Sequence, residues 1–567
     1  MASLQRQLQL PGQAQLSIVA VRRTPIGPLA LALVLALTPA CTAAAAPLLT
    51  LREDGSAFVR EDRYLPDSAT GPGPATESAP RPVRAAAASA SPDGAPLPTV
   101  RSELARLLAE GAIGDVAAGA YGRVYADAIK TRSKLRGTRR AALGATLGNL
   151  EDVAAQGGLN ASRLPALFQT LARNRQWWAS GPLLRYGTRV SFQGSRLVWQ
   201  YYTGQGLQIQ WLGTFGKANA LWQSGIHDDD LRALLDESLA IASQRAGGIA
   251  FEYLFRFDGG RPPWVSGLTQ GTAIQTLSRA AIRLNESRFF DAARSGLGIF
   301  REGPPGGVRI DTPLGAHYLI YSFAPSVRVL NAFTQALNGL HDFALLANDA
   351  EGRALFEAGE RQLRAELPQY DTGAWSRYST KREADLSYHR LARDFLRNLC
   401  ARLTEDRDRL AATAAQVSLP PPPGAPARGA IAPASPETTG GTPPVVAPGA
   451  PAPVADPALY CESARRFTSY LSRPPVLNLV SRVARAGRPA SLKLTLSKPA
   501  FVTLTVKRRG RAVASMSGRF ASGVRALRWV GPRAAGVYSV VLRATDLAGT
   551  NGSAGGRLRV LKARKGE

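Results

Sequence analysis

Cysteine, histidine and methionine are scarce in this 567-residue sequence, which contains three, four and two of them. A metal site would need histidines or cysteines at ligand spacing, and the sequence shows no such grouping. Long apolar runs are also missing after the amino-terminal segment, so no transmembrane span is predicted. The sequence therefore predicts no metal centre and no membrane-embedded domain.

Acidic residues are few relative to basic ones: 42 Asp and Glu stand against 70 Lys and Arg, a formal net charge of +28. One interpretation is a partner with many negative charges, such as nucleic acid or an acidic polysaccharide. The alternative is a compositional bias of a soluble, basic secreted protein, since the excess of Ala and Arg is common in GC-rich genomes. No helix-turn-helix, zinc-finger or RNP-type motif is present, which favours an acidic polysaccharide over nucleic acid.

The first segment, residues 1–46, is typical of a signal peptide. Arg22 and Arg23 contribute positive charge, and Leu29 to Leu37 form an apolar core that is too short to span a bilayer. Plain secretion is favoured, with Sec and twin-arginine export both left open. A lipid anchor at Cys41 is the less favoured alternative, because the residues before it make a poor lipobox. The protein is expected outside the cell.

Removal of that segment would leave two cysteines, Cys400 and Cys461. An even pair in an exported chain is most simply a disulfide. We expect a structural bridge across a long insertion.

Composition and periodicity divide the chain into regions. They are a signal peptide (1–46), a disordered lead-in rich in Pro, Ala, Ser and Gly (47–99), an N-terminal helical region (100–186), a β-hairpin region (187–230), a helical domain (231–473) interrupted by a Pro-rich insertion (418–457), and an immunoglobulin-like β-sandwich (475–562).

The helical and strand regions differ in hydrophobic period. Residues 274–284 and 330–340 repeat apolar side chains at helical spacing, which gives each predicted helix one face to bury. Such faces pack against each other, so helical hairpins around a common centre are expected. Residues 189–202 predict a β-hairpin, and residues 491–506 alternate as strands do.

Several short segments stand in an order and spacing that are typical of one enzyme family. They are GQGLQIQ (204–210), GLTQGTAI (267–274), YSFAPSVRVLN (321–331), LPQYDTG (367–373), Tyr378, Tyr388-His389 and the helix predicted for 463–471. Together they resemble the C-terminal domain of D-glucuronyl C5-epimerases, over roughly residues 180–410.

The resemblance implies a mainly α fold: an α/α toroid, which is an incomplete barrel of helical hairpins, preceded by a β-hairpin region. The C-terminal sandwich would be an addition. It also implies a bacterial secreted relative that inverts C5 of glucuronate to iduronate in an acidic polysaccharide, with no cofactor. Epimerases of this kind are often dimers, so a homodimer is left open.

The implied reaction needs a proton acceptor on one face of C5 and a donor on the other. The charge that develops on the adjacent carboxyl group needs cations or hydrogen-bond donors. By resemblance, Tyr321 and Tyr388 are the acid/base candidates, and Tyr378 contacts the substrate or relays a proton. The candidate substrate-binding residues are Lys381, Arg382, Asn331, Gln270, His389, Tyr201 and Tyr202.

Each candidate also has a structural interpretation. A tyrosine near a Pro turn is commonly a core residue with a satisfied hydroxyl, and Lys381 with Arg382 fits a solvated face. One departure from the family concerns its chemistry: the animal enzymes have an acidic residue just before the tyrosine that matches Tyr321, and this chain has Ile320. A non-catalytic polysaccharide-binding or cell-wall protein is therefore the first alternative. A polysaccharide lyase, which shares the C5 carbanion, is the second.

Overall fold

The computed structural model describes residues 46–66, 96–417, 455–529 and 534–562. Cys41, nearly all of the predicted signal peptide and most of the Pro-rich insertion lie outside these residues. The described chain is mainly helical, with several small sheets and a β-domain at its carboxyl end. Within these ranges, no helix has the length and apolar character needed to cross a membrane.

The helices predicted after residue 100 are confirmed. They are α1 (Val100–Ala109), α2 (Asp115–Lys134), α3 (Gly137–Ala155) and α4 (Leu164–Ser180). Thr99 and Ser102 begin α1 as a capping box, in which each side chain accepts the backbone N–H of the other residue.

The predicted β-hairpin is part of a five-stranded sheet. Its strands are β1 (Ala46–Leu51), β2 (Ala57–Asp62), β3 (Arg189–Phe192), β4 (Trp199–Tyr202) and β5 (Gly206–Ile209), in the order β2-β1-β3-β4-β5. The β1–β3 pair is parallel and the others are antiparallel.

The prediction that residues 47–99 form a disordered lead-in is wrong for the first part of that range. Leu48 packs with Leu65 and Val198, and Leu51 joins the main core, so β1 and β2 bury enough apolar surface to be ordered. The Pro- and Ala-rich composition of the residues that follow concealed this short alternating pattern. Residues 67–95 lie outside the described ranges.

The β-hairpin region also ends earlier than predicted. Helix α5 (Trp211–Ser224) follows β5 directly, and α6 (Asp228–Ala240) begins before residue 231. The Gln210 side chain accepts the Gly213 N–H and caps α5, a signal that the aromatic, strand-like composition around it obscured. Strands β6 (Ser243–Arg245) and β7 (Gly248–Ala250) form a small hairpin next.

The remaining helical part carries the two apolar stripes that the sequence predicts at residues 274–284 and 330–340. Its elements are α7 (Gly267–Leu284), α8 (Arg288–Ser295), α9 (Gly298–Arg301), β8 (Arg309–Thr312), β9 (Gly315–Tyr318), α10 (Leu330–Leu346), α11 (Ala350–Glu366), β10 (Arg377–Ser379), β11 (Arg382–Glu383), α12 (Leu386–Val417) and α13 (Ala458–Tyr470).

Helices α7 and α10 lie at the centre and touch backbone to backbone. A Cβ atom on Gly339 would stand 2.0 Å from the carbonyl oxygen of Gly271, so both positions depend on glycine. Asp342 of α10 joins the neighbouring helices: it accepts from Arg279 of α7 at 2.8 Å and from Arg402 of α12 at 2.8 Å. Whether the helices complete a toroid stays a prediction.

The carboxyl end forms two sheets around one hydrophobic core. The strands are β12 (Leu477–Leu479), β13 (Val483–Arg485), β14 (Ala490–Leu496), β15 (Ala500–Arg508), β16 (Arg511–Phe520), β17 (Gly523–Trp529), β18 (Gly536–Asp546) and β19 (Asn551–Leu561). One sheet has the order β12-β14-β17 and the other β13-β19-β18-β15-β16. The three strands predicted here are confirmed, and the immunoglobulin-like topology stays a prediction.

The predicted disulfide is confirmed between Cys400 of α12 and Cys461 of α13, which are 61 residues apart in the sequence. Closing a loop of that length removes much of the freedom of the unfolded chain.

We expect the double variant Cys400→Ser/Cys461→Ser to lose about 4 kcal/mol of unfolding free energy, because its unfolded chain regains the loop entropy. Urea denaturation of the variant and of the reduced wild-type protein measures this, and the two should agree. A reduced wild-type protein as stable as the oxidised one would contradict the prediction.

Candidate active site

The three predicted tyrosines come from separate elements and meet. Tyr321 lies between β9 and α10, Tyr378 lies in β10, and Tyr388 lies in the first turn of α12. The rings of Tyr378 and Tyr388 are 4.6 Å apart. Burial raises the pKa of Tyr321 well above its usual value, and the neighbouring Tyr378 and Tyr388 phenols raise it further. We call these three residues the tyrosine cluster.

The Tyr378 hydroxyl is buried, and its hydrogen-bonding capacity is not satisfied within the described residues. Burial raises its pKa to about 12, an effect partly offset by the nearby Tyr321 hydroxyl and the Arg382 guanidinium. Tyr321 is thus close enough to influence Tyr378. Nevertheless, no atom of the described residues reaches the Tyr378 oxygen with hydrogen-bond geometry. An unpaired buried hydroxyl costs free energy, which a bound ligand that accepts or donates a hydrogen bond would recover.

An aromatic wall supports the cluster from behind. Tyr321 stacks on Phe323, with ring centroids 5.2 Å apart, and it contacts Phe257 at 5.7 Å and Trp264 at 5.6 Å. These contacts fix the Tyr321 ring by packing and keep water away from it.

The two hairpin tyrosines do not join the cluster. Tyr202 reaches only the rear of the wall, where its ring lies 6.4 Å from Phe257 and its hydroxyl accepts from Gln210 at 3.2 Å. Tyr201 points to the opposite face of β4 and packs on Trp178. Successive strand residues alternate between faces, so both could not have walled one cleft.

The two basic candidates, Arg382 and Lys381, also differ in their surroundings. The Arg382 guanidinium lies 4.6 Å above the Tyr378 ring, half-buried, where it could hold a carboxylate. Lys381 is exposed. Arg382 is therefore the cation that the structure places at the cluster.

Asn331 has a side-chain oxygen that could accept a hydrogen bond from a ligand. It lies buried in the first turn of α10, two residues after Val329, which bridges to Ser379 beside Tyr378. Its side-chain oxygen has no hydrogen-bond partner among the described residues. Asn331 thus adds a second unsatisfied polar atom next to the strand that carries Tyr378.

Both amide hydrogens of Gln270 are engaged by backbone carbonyls. Its amide nitrogen donates to the carbonyls of Ile249 at 3.0 Å and Gly296 at 3.1 Å, and its oxygen accepts from the Phe251 N–H at 3.3 Å. The side chain joins α7 to the segments packed around it. These bonds give Gln270 a structural role, and its role in substrate binding stays a prediction.

His389 is likewise occupied. One ring nitrogen faces the Ser376 hydroxyl at 2.7 Å and the other faces the Phe467 carbonyl at 2.9 Å, while the ring stacks on Trp375 at 3.8 Å. Burial lowers its pKa to about 4, so the ring is neutral. A neutral ring must donate to the Phe467 carbonyl and accept from Ser376. His389 positions the Tyr378 strand relative to α12 and does not face a ligand.

The carboxyl-terminal β-domain contacts the same strand pair from outside. Ser522 donates its N–H to the Glu383 carboxylate in β11 at 2.9 Å. Lys498 is buried, donates to the Tyr470 carbonyl at 2.7 Å, forms an ion pair with Asp546, and lies over the Trp375 ring. The β-domain is thereby tied to the segment that carries Tyr378 and Arg382.

Sequence reasoning missed one residue near the cluster, Asp258. It occupies a tight turn between Phe257 and Gly260, and its charge contributes to the raised pKa of Tyr321 after burial and the neighbouring phenols. The signal was the Asp258-Gly259 pair, which is typical of two-residue hairpin turns. In the described ranges, no group of His, Cys, Asp and Glu could hold a metal ion.

Comparison with known proteins gives a match to one family over the part of the chain that carries this site. Residues 245–410 match the family model of the D-glucuronyl C5-epimerase C-terminus. The match is confined to this region, which is less than half of the 567-residue chain. The matched range contains the whole tyrosine cluster, Arg382, Asn331 and Asp258, and it excludes β1 to β5 and the carboxyl-terminal β-domain.

A relative supports the family match. A D-glucuronyl C5-epimerase of Caenorhabditis elegans is 32% identical over 136 residues, which are 22% of this chain and 22% of the relative. The chain therefore matches about a fifth of the relative's length. A crystal structure of an engineered protein is 17% identical over 18% of this chain and 27% of that chain, with a TM-score of 0.14. That likeness carries no argument about the fold.

We expect the Tyr378 phenol to remain protonated at pH 10.5, because its pKa is about 12. An ordinary tyrosine with a pKa of about 10 is mostly ionised at that pH. Carbon-13 NMR of ring-labelled tyrosine measures this, with Tyr378→Phe giving the assignment and N-acetyltyrosinamide as the reference. A Tyr378 signal that titrates together with the reference would contradict the burial argument.

The buried ion pair between Lys498 and Asp546 should contribute to stability. Lys498→Met leaves Asp546 as an unpaired buried charge, so the unfolding free energy should fall by about 3–5 kcal/mol. Lys493→Met, an exposed change on β14, is the matched control for urea denaturation. Equal stability of the two variants would show that the buried pair does not hold the β-domain.

Proposed function

We propose that this protein is a uronate C5-epimerase that inverts glucuronate to iduronate in an acidic polysaccharide. The observation that supports this most strongly is the meeting of three phenols from β10, α12 and the segment before α10, beside the Arg382 guanidinium. They lie within the part of the chain that matches the family. Enzymes of that family are isomerases acting on carbohydrates.

The chemistry begins at C5 of the uronate, whose proton is acidified by the adjacent carboxyl group. When that proton leaves, negative charge spreads over the carboxyl oxygens. Arg382 would pair with those oxygens, and the half-buried setting strengthens the attraction relative to bulk water. Return of a proton to the opposite face of C5 completes the inversion.

The phenols are suited to donate a proton. Burial raises the pKa of both Tyr321 and Tyr378, so at neutral pH each keeps its hydroxyl hydrogen. The resemblance makes Tyr321 a candidate for either role, acid or base. Burial, the larger influence on the pKa of Tyr321 and Tyr378, supports the donor role.

The same proposal includes location and architecture. We infer export of the protein and an extracellular polysaccharide partner, in line with the amino-terminal segment and the net charge of +28. We also propose that α7 to α13 form the incomplete toroid of the family and that the two-sheet β-domain is immunoglobulin-like. The central position of α7 and α10 and the single core of the two sheets support these two assignments.

Solvent-deuterium exchange tests the activity. We expect the wild-type protein in D₂O to incorporate deuterium at C5 of glucuronate-containing oligosaccharides without chain cleavage, with heparosan and hyaluronan fragments as probes. Tyr388→Phe should remove the inversion to iduronate because its ring can no longer supply a proton to C5, whereas Tyr121→Phe, outside the cluster, should not. Proton NMR measures both.

Other outcomes identify the alternatives. A product with ultraviolet absorbance at the C4–C5 double bond would indicate a lyase, which passes through the same carbanion. Binding of the fragments without exchange or cleavage would indicate a polysaccharide-binding protein. Full inversion to iduronate by Tyr388→Phe would remove that tyrosine from the mechanism.

A further inference from the structure

The tyrosine cluster consists of three phenols and contains no carboxylate. Tyr321 and Tyr378 are buried and remain protonated at neutral pH. The residue before Tyr321 is Ile320, which is apolar and buried. At neutral pH a carboxylate is ionised and a phenol is not, so a carboxylate from another segment is the better acceptor for the C5 proton.

Residues 257–260 form a two-residue hairpin turn at the cluster. The backbones of Phe257 and Gly260 exchange two hydrogen bonds, of 3.1 and 2.7 Å, and enclose Asp258 and Gly259. Asp258 has φ 48° and Gly259 has φ 89°, and positive φ at both central residues is what a type I′ turn requires. Asp-Gly is a preferred pair for such turns, so the local sequence specifies the position of Asp258.

Packing fixes this turn against Tyr321. The Phe257 ring lies 5.7 Å from the Tyr321 ring. Gly260 lies so close to Phe323 that a Cβ atom would stand 2.4 Å from the ring. Because Phe323 stacks on Tyr321, the turn and the phenol are parts of one packed unit.

Asp258 is also the carboxylate near the cluster that is not otherwise engaged. Asp385, which also influences Tyr378, accepts the Tyr388 N–H at 2.8 Å and so holds the start of α12. Asp311 is bound to Arg309 at 2.7 Å. Asp258 is exposed, and no hydrogen bond or ion pair occupies its carboxylate among the described residues.

We propose that the Asp258 carboxylate accepts the C5 proton of the uronate and that Tyr388 donates a proton to the opposite face. The C–H electron pair moves into the C5–carboxyl system as the Asp258 oxygen binds the proton. The Tyr388 O–H bond then breaks, and its proton forms the new C5–H bond. Asp258 releases its proton to solvent and the Tyr388 phenolate regains one, so the enzyme is unchanged. This inference rests on the proposed epimerase function.

Asp258→Asn tests the role with little change to the fold, because Asn-Gly is as well suited to the turn as Asp-Gly. We expect C5 deuterium exchange to fall by about 10²-fold or more, the usual contribution of a positioned acid or base. Its melting temperature and its affinity for the oligosaccharide should stay unchanged. Asp311→Asn, another exposed carboxylate of the same region, is the matched control.

Chemical rescue distinguishes a proton acceptor from a positioning residue. Asp258→Gly keeps positive φ accessible and opens space, so added formate or acetate should restore part of the exchange. The same salts should not accelerate the Asp258→Asn or Tyr388→Phe variants. Rescue in Asp258→Gly would support proton transfer even if Asp258→Asn proved unstable.

The outcomes separate this inference from the proposed function. Exchange by the wild-type protein that persists in Asp258→Asn would overturn the role of Asp258 and leave the epimerase intact. Loss of exchange in both variants without any rescue by small carboxylates would also overturn it. A wild-type protein without exchange on any glucuronate fragment would instead overturn the proposed function itself.

Discussion

Burial of the Tyr321 and Tyr378 phenols is the constraint on which the rest of the site depends. Ionising a phenol in an apolar surrounding costs free energy, so the rings that pack around Tyr321 also keep its hydroxyl protonated. The packing that holds the cluster together therefore also determines that these phenols stay protonated. Buried phenols can donate protons and stabilise a developing oxyanion, but they leave proton abstraction to another group.

The β10–β11 strand pair is small, and contacts from two sides hold it. From inside, neutral His389 connects Ser376 to the Phe467 carbonyl and stacks on Trp375. From outside, Lys498 lies over the same Trp375 ring. A spacer or adhesion module would need no such contacts, so the β-domain is better understood as a support for the strand that carries Tyr378.

Helical stripes and motif order are local signals, so the sequence predicted the main helices and strands and singled out the three tyrosines by resemblance. It could not separate satisfied polar side chains from unsatisfied ones. Gln270 and His389 matched the family motifs, yet the N–H groups of both side chains already donate to backbone carbonyls. Asn331 and Tyr378 have free polar atoms only because of how distant segments pack. Asp258 was missed because its turn is distant in sequence from the tyrosines that it lies near in the fold.

The site's acid/base pair thus combines two different environments. The phenols are enclosed by aromatic rings, whereas Asp258 stands on an exposed turn in contact with water. A carboxylate in that position can exchange its proton with solvent between turnovers. The residue next to Tyr321, Ile320, is apolar and has no acidic proton to exchange. Solvent hydrogen would then appear at C5 after every inversion. An exposed acceptor, Asp258, and a half-buried donor, Tyr388, are therefore a consistent solution for a reaction that must take a proton from one face and supply one to the other.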